Sequence, residues 1–143
     1  MAIIKVFTDG ASRGNPNKAG IGIIIYDENS FIIDSFKEYI GEATNNQAEY
    51  RAVIKSADII KKLIEKGEIS VERIEFCSDS ELMVNQINFE YYVKEPELAI
   101  MNNKFLVKMK KTGIPFTMTY IERSKNKAAD RLANMAIDEK IVK

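Results

Sequence analysis

Hydrophobic and polar positions alternate with two different periods along this chain, and the switches between them lay out its elements. Residues 3–9, IIKVFTD, alternate loosely and are rich in β-formers, which predicts a buried strand. The turn-forming stretch GASRGNPNKAG predicts a loop over 10–20. Residues 20–27 and 31–40 predict two more strands, and the short turn ENS between them favours antiparallel pairing, so the first three strands form a meander. A helical period runs over 45–66 and is closed by Gly67. A fourth strand follows at 73–78, and SDSELMVNQI then opens a second helix, for which Ser78 and Glu81 fit a capping box. A third helix covers 96–112, with Pro96 at its start and Gly113 after its end. A fifth strand at 115–121 and a last helix at 126–140 complete the order βββ-α-β-α-α-β-α. That order predicts an α/β fold: a mixed sheet flanked by helices, with parallel pairing where helices connect strands.

The chain has 143 residues and no repeat or linker, so we read residues 1–143 as one domain. Lysine plus arginine number 21 and so do the acids, and this zero net charge neither demands nor excludes a nucleic-acid partner. The one cysteine, Cys77, sits in an apolar run and reads as a buried small hydrophobe. A single cysteine makes no internal disulfide, which together with the absence of a signal-like or membrane-spanning stretch predicts a cytoplasmic protein. There is no histidine, so imidazole chemistry is absent and any metal site must rest on oxygen ligands, Cys77 aside.

Four acids fall where acids are costly. At about 100° per residue, Val53, Ile60 and Ile64 lie within about 60° of Glu49, so this carboxylate sits on the apolar stripe of the first helix. By the same count, Ile137 and Ile141 lie within about 20° of Asp130 and Ala133 about 60° away. Asp9 ends the first strand and Asp79 ends the fourth. If those strands are neighbours, the two acids stand side by side beyond the strand ends, where open α/β sheets gather ligands. Singly, Asp9 reads as a turn residue and Asp79 as the decoration of a helix N-terminus. Jointly, the four read as a carboxylate cluster for hard divalent cations, and two such ions can clamp the oxygens of a phosphoryl displacement.

The segments FTDGASRGNP, TNNQAEY, CSDSELMVNQI and NKAADRLANMA, in this order across nearly the whole chain, resemble ribonuclease H type 1. The resemblance implies the ribonuclease H-like fold, with three antiparallel strands followed by two parallel ones. It implies an endonuclease that cuts the RNA strand of RNA–DNA hybrids with two Mg²⁺ or Mn²⁺ ions, leaving 5′-phosphate and 3′-hydroxyl ends. Asp9, Glu49, Asp79 and Asp130 take the positions of the catalytic, metal-binding acids: Asp9 bridging both ions, Glu49 and Asp79 on one, Asp130 on the other. Asn15, Asn45 and Asn46 match minor-groove contacts, and Thr44 a contact to a DNA phosphate. Without the resemblance, Asn45 and Asn46 read as helix caps and Asn15 as a turn residue. Double-stranded RNA stays open as a second substrate, and the protein is expected to be a free-standing monomer.

The chain also departs from many relatives. The loop YIERSKNK lacks their histidine, leaving Glu122, Arg123 and Lys125 as auxiliary candidates. The connection NFEYYVKEPE is too short for their basic insertion, and Phe89 stands where relatives often carry glycine. Positive charge is offered instead by Lys104, Lys108, Lys110 and Lys111 on the third helix and by Lys125, Lys127 and Arg131 around the last acid, while Tyr91, Tyr92 and Lys94 offer a DNA-strand side. A resolvase-like nuclease acting on DNA, a hybrid-binding module without activity and a domain cut from a reverse transcriptase are the rival readings.

Overall fold

The computed structural model describes residues 2–14 and 17–142. Its strands are β1 (Ala2–Arg13), β2 (Lys18–Tyr26), β3 (Ile32–Glu42), β4 (Val71–Ser78) and β5 (Phe116–Tyr120). Its helices are α1 (Asn45–Glu65), α2 (Glu81–Ile87), α3 (Pro96–Thr112) and α4 (Lys127–Val142), with a 3₁₀ turn at Arg123–Lys125. The five strands form one sheet in the order β3-β2-β1-β4-β5. β1 pairs antiparallel with β2, and β2 with β3; β1 pairs parallel with β4, and β4 with β5. This is the mixed sheet expected from the sequence.

The segment from Gly10 to Gly20 departs from expectation. It is not a loop for most of its length: pairing continues through Asp9↔Gly22, Ala11↔Gly20 and Arg13↔Lys18. Gly10 and Gly20 serve helix packing, and only Gly14, at a φ of 90°, turns the chain. A Cβ on Gly10 would lie 2.3 Å from the Ala48 carbonyl carbon, and one on Gly22 would lie 2.2 Å from the Ala129 oxygen. Missing side chains thus let α1 and α4 rest directly on strand backbone.

Successive strand residues point to opposite faces. On one face Ile21, Ile23 and Ile25 pack with Tyr50, Val53 and Ile60 of α1, and α3 closes the same core through Phe105, edge-on to Phe76 and Phe116 at 5.3 and 5.5 Å. On the other face α4 covers β2 at Gly20 and Gly22. Ile137 and Ala133 of α4 are buried, as their stripe predicts, whereas Ile141, in the last turn of the helix, is exposed. Cys77 is half-buried rather than buried, since it faces the side of β4 that no helix covers closely, and burial pushes its thiol pKa up.

The N-terminus of α2 is capped two residues later than the sequence suggests. Ser80, not Ser78, accepts from the Met83 amide, at 3.3 Å. Ser78 is still in β4, fully buried, and its Oγ accepts from the Ser80 amide at 3.0 Å. After α2, Phe89 adopts a left-handed φ of 62°, a conformation that glycine takes without strain.

Candidate active site

The parallel pairing of β1 with β4 runs in register through Phe7↔Cys77, so two residues further Asp9 and Asp79 emerge beside each other. Helix α1 enters at the same end. Its N-cap is Thr44, which accepts from the Gln47 amide while Gln47 Oε1 accepts from the Thr44 amide, a complete capping box. That start places Glu49 on the side of α1 resting on Gly10, whose amide donates to Glu49 Oε1 at 2.7 Å. Carboxylate oxygens of Asp9, Glu49 and Asp79 lie within 4.8 Å of one another. Asp130, in the first turn of α4, joins them in lining one cleft of about 460 Å³ together with Gly10, Ser12, Asn45, Asn46, Glu81 and Arg123.

Asp9 is 4% exposed, Glu49 9%, and the side chain of Asp79 7%. Burial, then the charges of Glu49 and Asp79, then a hydrogen bond and charge from Asp130, push the Asp9 carboxyl up to about 10. Burial likewise pushes Glu49 up to about 8, against the opposing donation from the Gly10 amide. A divalent cation would remove both penalties, because it supplies the positive charge that this cluster lacks. Oxygen-only ligation suits a hard ion of the Mg²⁺ or Mn²⁺ kind. The residues present therefore fit such an ion.

The one cation lining the cleft among the described residues is Arg123, with Nε 3.8 Å from Asp79 Oδ2 and its side chain largely in solvent. Lys125 turns elsewhere, lining a small cavity with Lys5, Phe7 and Tyr26, and Glu122 is exposed outside the cleft lining.

These features have counterparts in known proteins. A family model described as reverse transcriptase-like matches residues 7–136. LC11-RNase H1, isolated from compost by a metagenomic approach, is 39% identical, with a TM-score of 0.88 covering 99% of both chains. RNase H1 of Halobacterium salinarum is 31% identical, with a TM-score of 0.86 covering 96% of this chain and 98% of that one. This chain belongs to the ribonuclease H type 1 family. Among solved family members, LC11-RNase H1 in complex with RNA/DNA hybrid matches with 37% identity and a TM-score of 0.89, covering 96% of this chain and 99% of that one. A bifunctional protein of Mycobacterium tuberculosis is 34% identical over 139 residues, which are 94% of this chain and 35% of that protein. The chain thus spans about a third of the length of the mycobacterial relatives it matches.

Within this ribonuclease H fold the four predicted acids share one cleft, and Asn45 and Asn46 line it with exposed side chains. Neither amide is the helix cap, since Thr44 holds that place. Asn15 lies outside the described residues. On the third helix, Lys108 is already paired with Asp58 at 2.8 Å, so the predicted lysine patch is smaller than the sequence suggests. Three residues escaped sequence reasoning. Ser12 donates to the Ala43 carbonyl at 2.5 Å and fastens β1 to the segment entering α1. Asn126, buried, donates to the Thr8 carbonyl at 2.9 Å. Asn134 donates to Asp130. Only the last left a signal, as an asparagine inside a helix.

Proposed function

We propose that this protein is an endoribonuclease hydrolysing the RNA strand of RNA–DNA hybrids with two divalent ions, leaving 5′-phosphate and 3′-hydroxyl ends, and that it acts in the cytoplasm as a monomer. The observation that carries this reading is the cleft in which Asp9, Glu49, Asp79 and Asp130 stand beside two uncommitted amides. Asp9, Glu49 and Asp79 would hold one Mg²⁺ or Mn²⁺, with Asp9 shared and Asp130 serving the second. When bound, such ions supply Lewis acidity that activates water and neutralises charge developing on phosphate oxygens. The chain's own residues do the rest. Asn45 and Asn46 each offer donor and acceptor to the minor groove, where an A-like duplex displays 2′-hydroxyls, and this distinguishes an RNA strand from DNA. The Thr44 hydroxyl accepts within its capping box, so its hydrogen remains to donate to a phosphate of the uncleaved strand. A neighbouring groove of about 500 Å³ meets the cleft at Asn46 and offers that strand an aromatic wall, Tyr91 and Tyr92, with Lys94 as its one cation beside Glu90 and Glu95. Arg123 is the auxiliary residue that reaches the acids, and its guanidinium attracts the scissile phosphate into an otherwise repelling cleft.

No helix among the described residues is long and apolar enough to cross a membrane. The test is a panel of end-labelled duplexes of one sequence: RNA–DNA hybrid, DNA–DNA and RNA–RNA, each with Mg²⁺ or Mn²⁺. Cleavage of the hybrid's RNA strand with the DNA duplex untouched is expected. Cutting of the DNA duplex would favour a resolvase-like enzyme, and binding without cutting in either metal would favour a binding module.

A further inference from the structure

The fourth acid is held differently from the other three. Asp9, Glu49 and Asp79 form one tight group, whereas Asp130 arrives on a separate element, α4. What keeps its carboxylate beside Asp9 is visible one helical turn later. Asn134 Nδ2 donates to the Asp130 carbonyl at 3.0 Å and to Asp130 Oδ1 at 3.1 Å. Both acceptors are oxygens, so only the nitrogen end of an amide satisfies them together. Asparagine is a poor helix former because its side chain competes for backbone groups. Its presence inside α4, half-buried, is a local cost with a specific local use. The backbone of Asn134 is fixed as well: Arg13, four residues beyond Asp9 on β1, donates from Nη2 to the Asn134 carbonyl at 3.2 Å and also pairs with Asp138. At the other end of the turn, Asn126 is anchored to the Thr8 carbonyl, next to Asp9. The strand carrying Asp9 and the turn carrying Asp130 are therefore laced together on both sides of the acids.

We propose that Asn134 is a positioning residue of the reaction: it holds one oxygen of Asp130, so that this carboxylate meets the cleft in a single orientation beside Asp9. Asn134 touches no reacting atom and acts only through Asp130. The inference rests on the ribonuclease reading for its kinetic consequence but not for its structural one.

The experiment uses Asn134→Ala and Asn134→Asp in the whole chain. Alanine is the best helix former, so the first variant keeps the fold and its melting temperature is unchanged or higher. Aspartate loses the donor and sets a like charge one turn from Asp130. On hybrid in Mg²⁺, kcat should fall about tenfold for alanine and further for aspartate, with KM within about twofold, because the substrate-facing amides are untouched. A second readout needs no turnover: Mn²⁺ added to the substrate-free protein broadens the Asp130 carboxyl carbon resonance. About threefold or more Mn²⁺ should be needed in Asn134→Ala for equal broadening, since a swinging carboxylate binds less well. Unchanged kcat and an unchanged Mn²⁺ curve in Asn134→Ala would overturn the proposal. So would a loss of kcat that follows a lowered melting temperature and recovers on cooling, which marks a merely structural residue. If the wild-type chain cleaves no hybrid, the ribonuclease reading fails on its own, and the Mn²⁺ curve still decides the role of Asn134.

Discussion

Asp9 shows how a single side chain can be a poor choice for stability and a good one for chemistry. Its carboxyl is raised from 3.8 to about 10 by burial and by neighbouring acids. Between those values the folded, metal-free protein holds a proton that the unfolded chain has released, so stability falls as pH rises across the window. Asp9→Asn removes that linkage and keeps the shape. Without metal at pH 7 the variant should be more stable than wild type by on the order of 2 kcal/mol, with no detectable hybrid cleavage. Melting in chelator at pH 5, 7 and 9 checks this: the wild-type curve should decline with pH and the variant's decline less. A variant that melts far below wild type would make Asp9 structural. Glu49 and Asp130 were legible in the sequence because an acid on an apolar stripe conflicts with burial, and Asp9 and Asp79 because both stand at strand ends. Asn126 was not, because a loop asparagine before a helix carries the same signal whether it caps, turns or reaches another strand.

At the scale of elements, the helices that deliver Glu49 and Asp130 depend on side chains that are absent. A Cβ on Gly22 would collide with the backbone of α4 at Ala129 and, at 2.7 Å, with the Ala133 nitrogen. Backbone cannot yield as a flexible side chain can. Gly22→Ala should therefore lower stability by about 2 kcal/mol or more and reduce activity beyond what unfolding explains, because α4 carries Asp130. Urea denaturation with parallel rate measurements tests this, and a variant within error of wild type would mean that α4 can shift freely. The turn after α2 offers the opposite change. Phe89 holds a left-handed φ of 62° with its ring mostly in solvent. Phe89→Gly should relieve about 1 kcal/mol of backbone strain and raise the urea midpoint. A lower midpoint would show that the ring makes contacts worth more than the strain. Element types and order could be read from periodicity, since each helix and strand has one apolar face. The extent of β1 and β2 could not, because glycines chosen for helix contact look the same in sequence as glycines chosen for turning. The cap of α2 moved from Ser78 to Ser80 for a related reason: β4 needed Ser78 for its last pair, Ser78↔Tyr120, and sheet pairing overrode the local motif.

For the whole molecule, charge balance sets how a polyanion is held. With 21 cationic and 21 acidic residues, and Lys108 already spent on Asp58, few phosphates can be neutralised. Hybrid affinity should fall with salt on a shallow slope, near −2 to −4 in log K against log salt, as expected for about two to four phosphate contacts. Lys94→Gln, in the groove beside the cleft, should flatten that slope by about one, while Lys108→Gln should leave it unchanged. Fluorescence anisotropy in Ca²⁺ at several salt concentrations reads both, and a steep wild-type slope would reveal a basic surface not accounted for above. The central claim is that a carboxylate-held pair of divalent ions, rather than the RNA's own 2′-hydroxyl, drives strand scission. Mass spectrometry of the RNA fragments released from a hybrid in Mg²⁺ tests it most directly. The account predicts 5′-phosphate and 3′-hydroxyl ends from the wild-type protein and no fragments from Asp9→Asn. Fragments ending in 2′,3′-cyclic phosphate with 5′-hydroxyl partners, formed equally by Asp9→Asn, would contradict it.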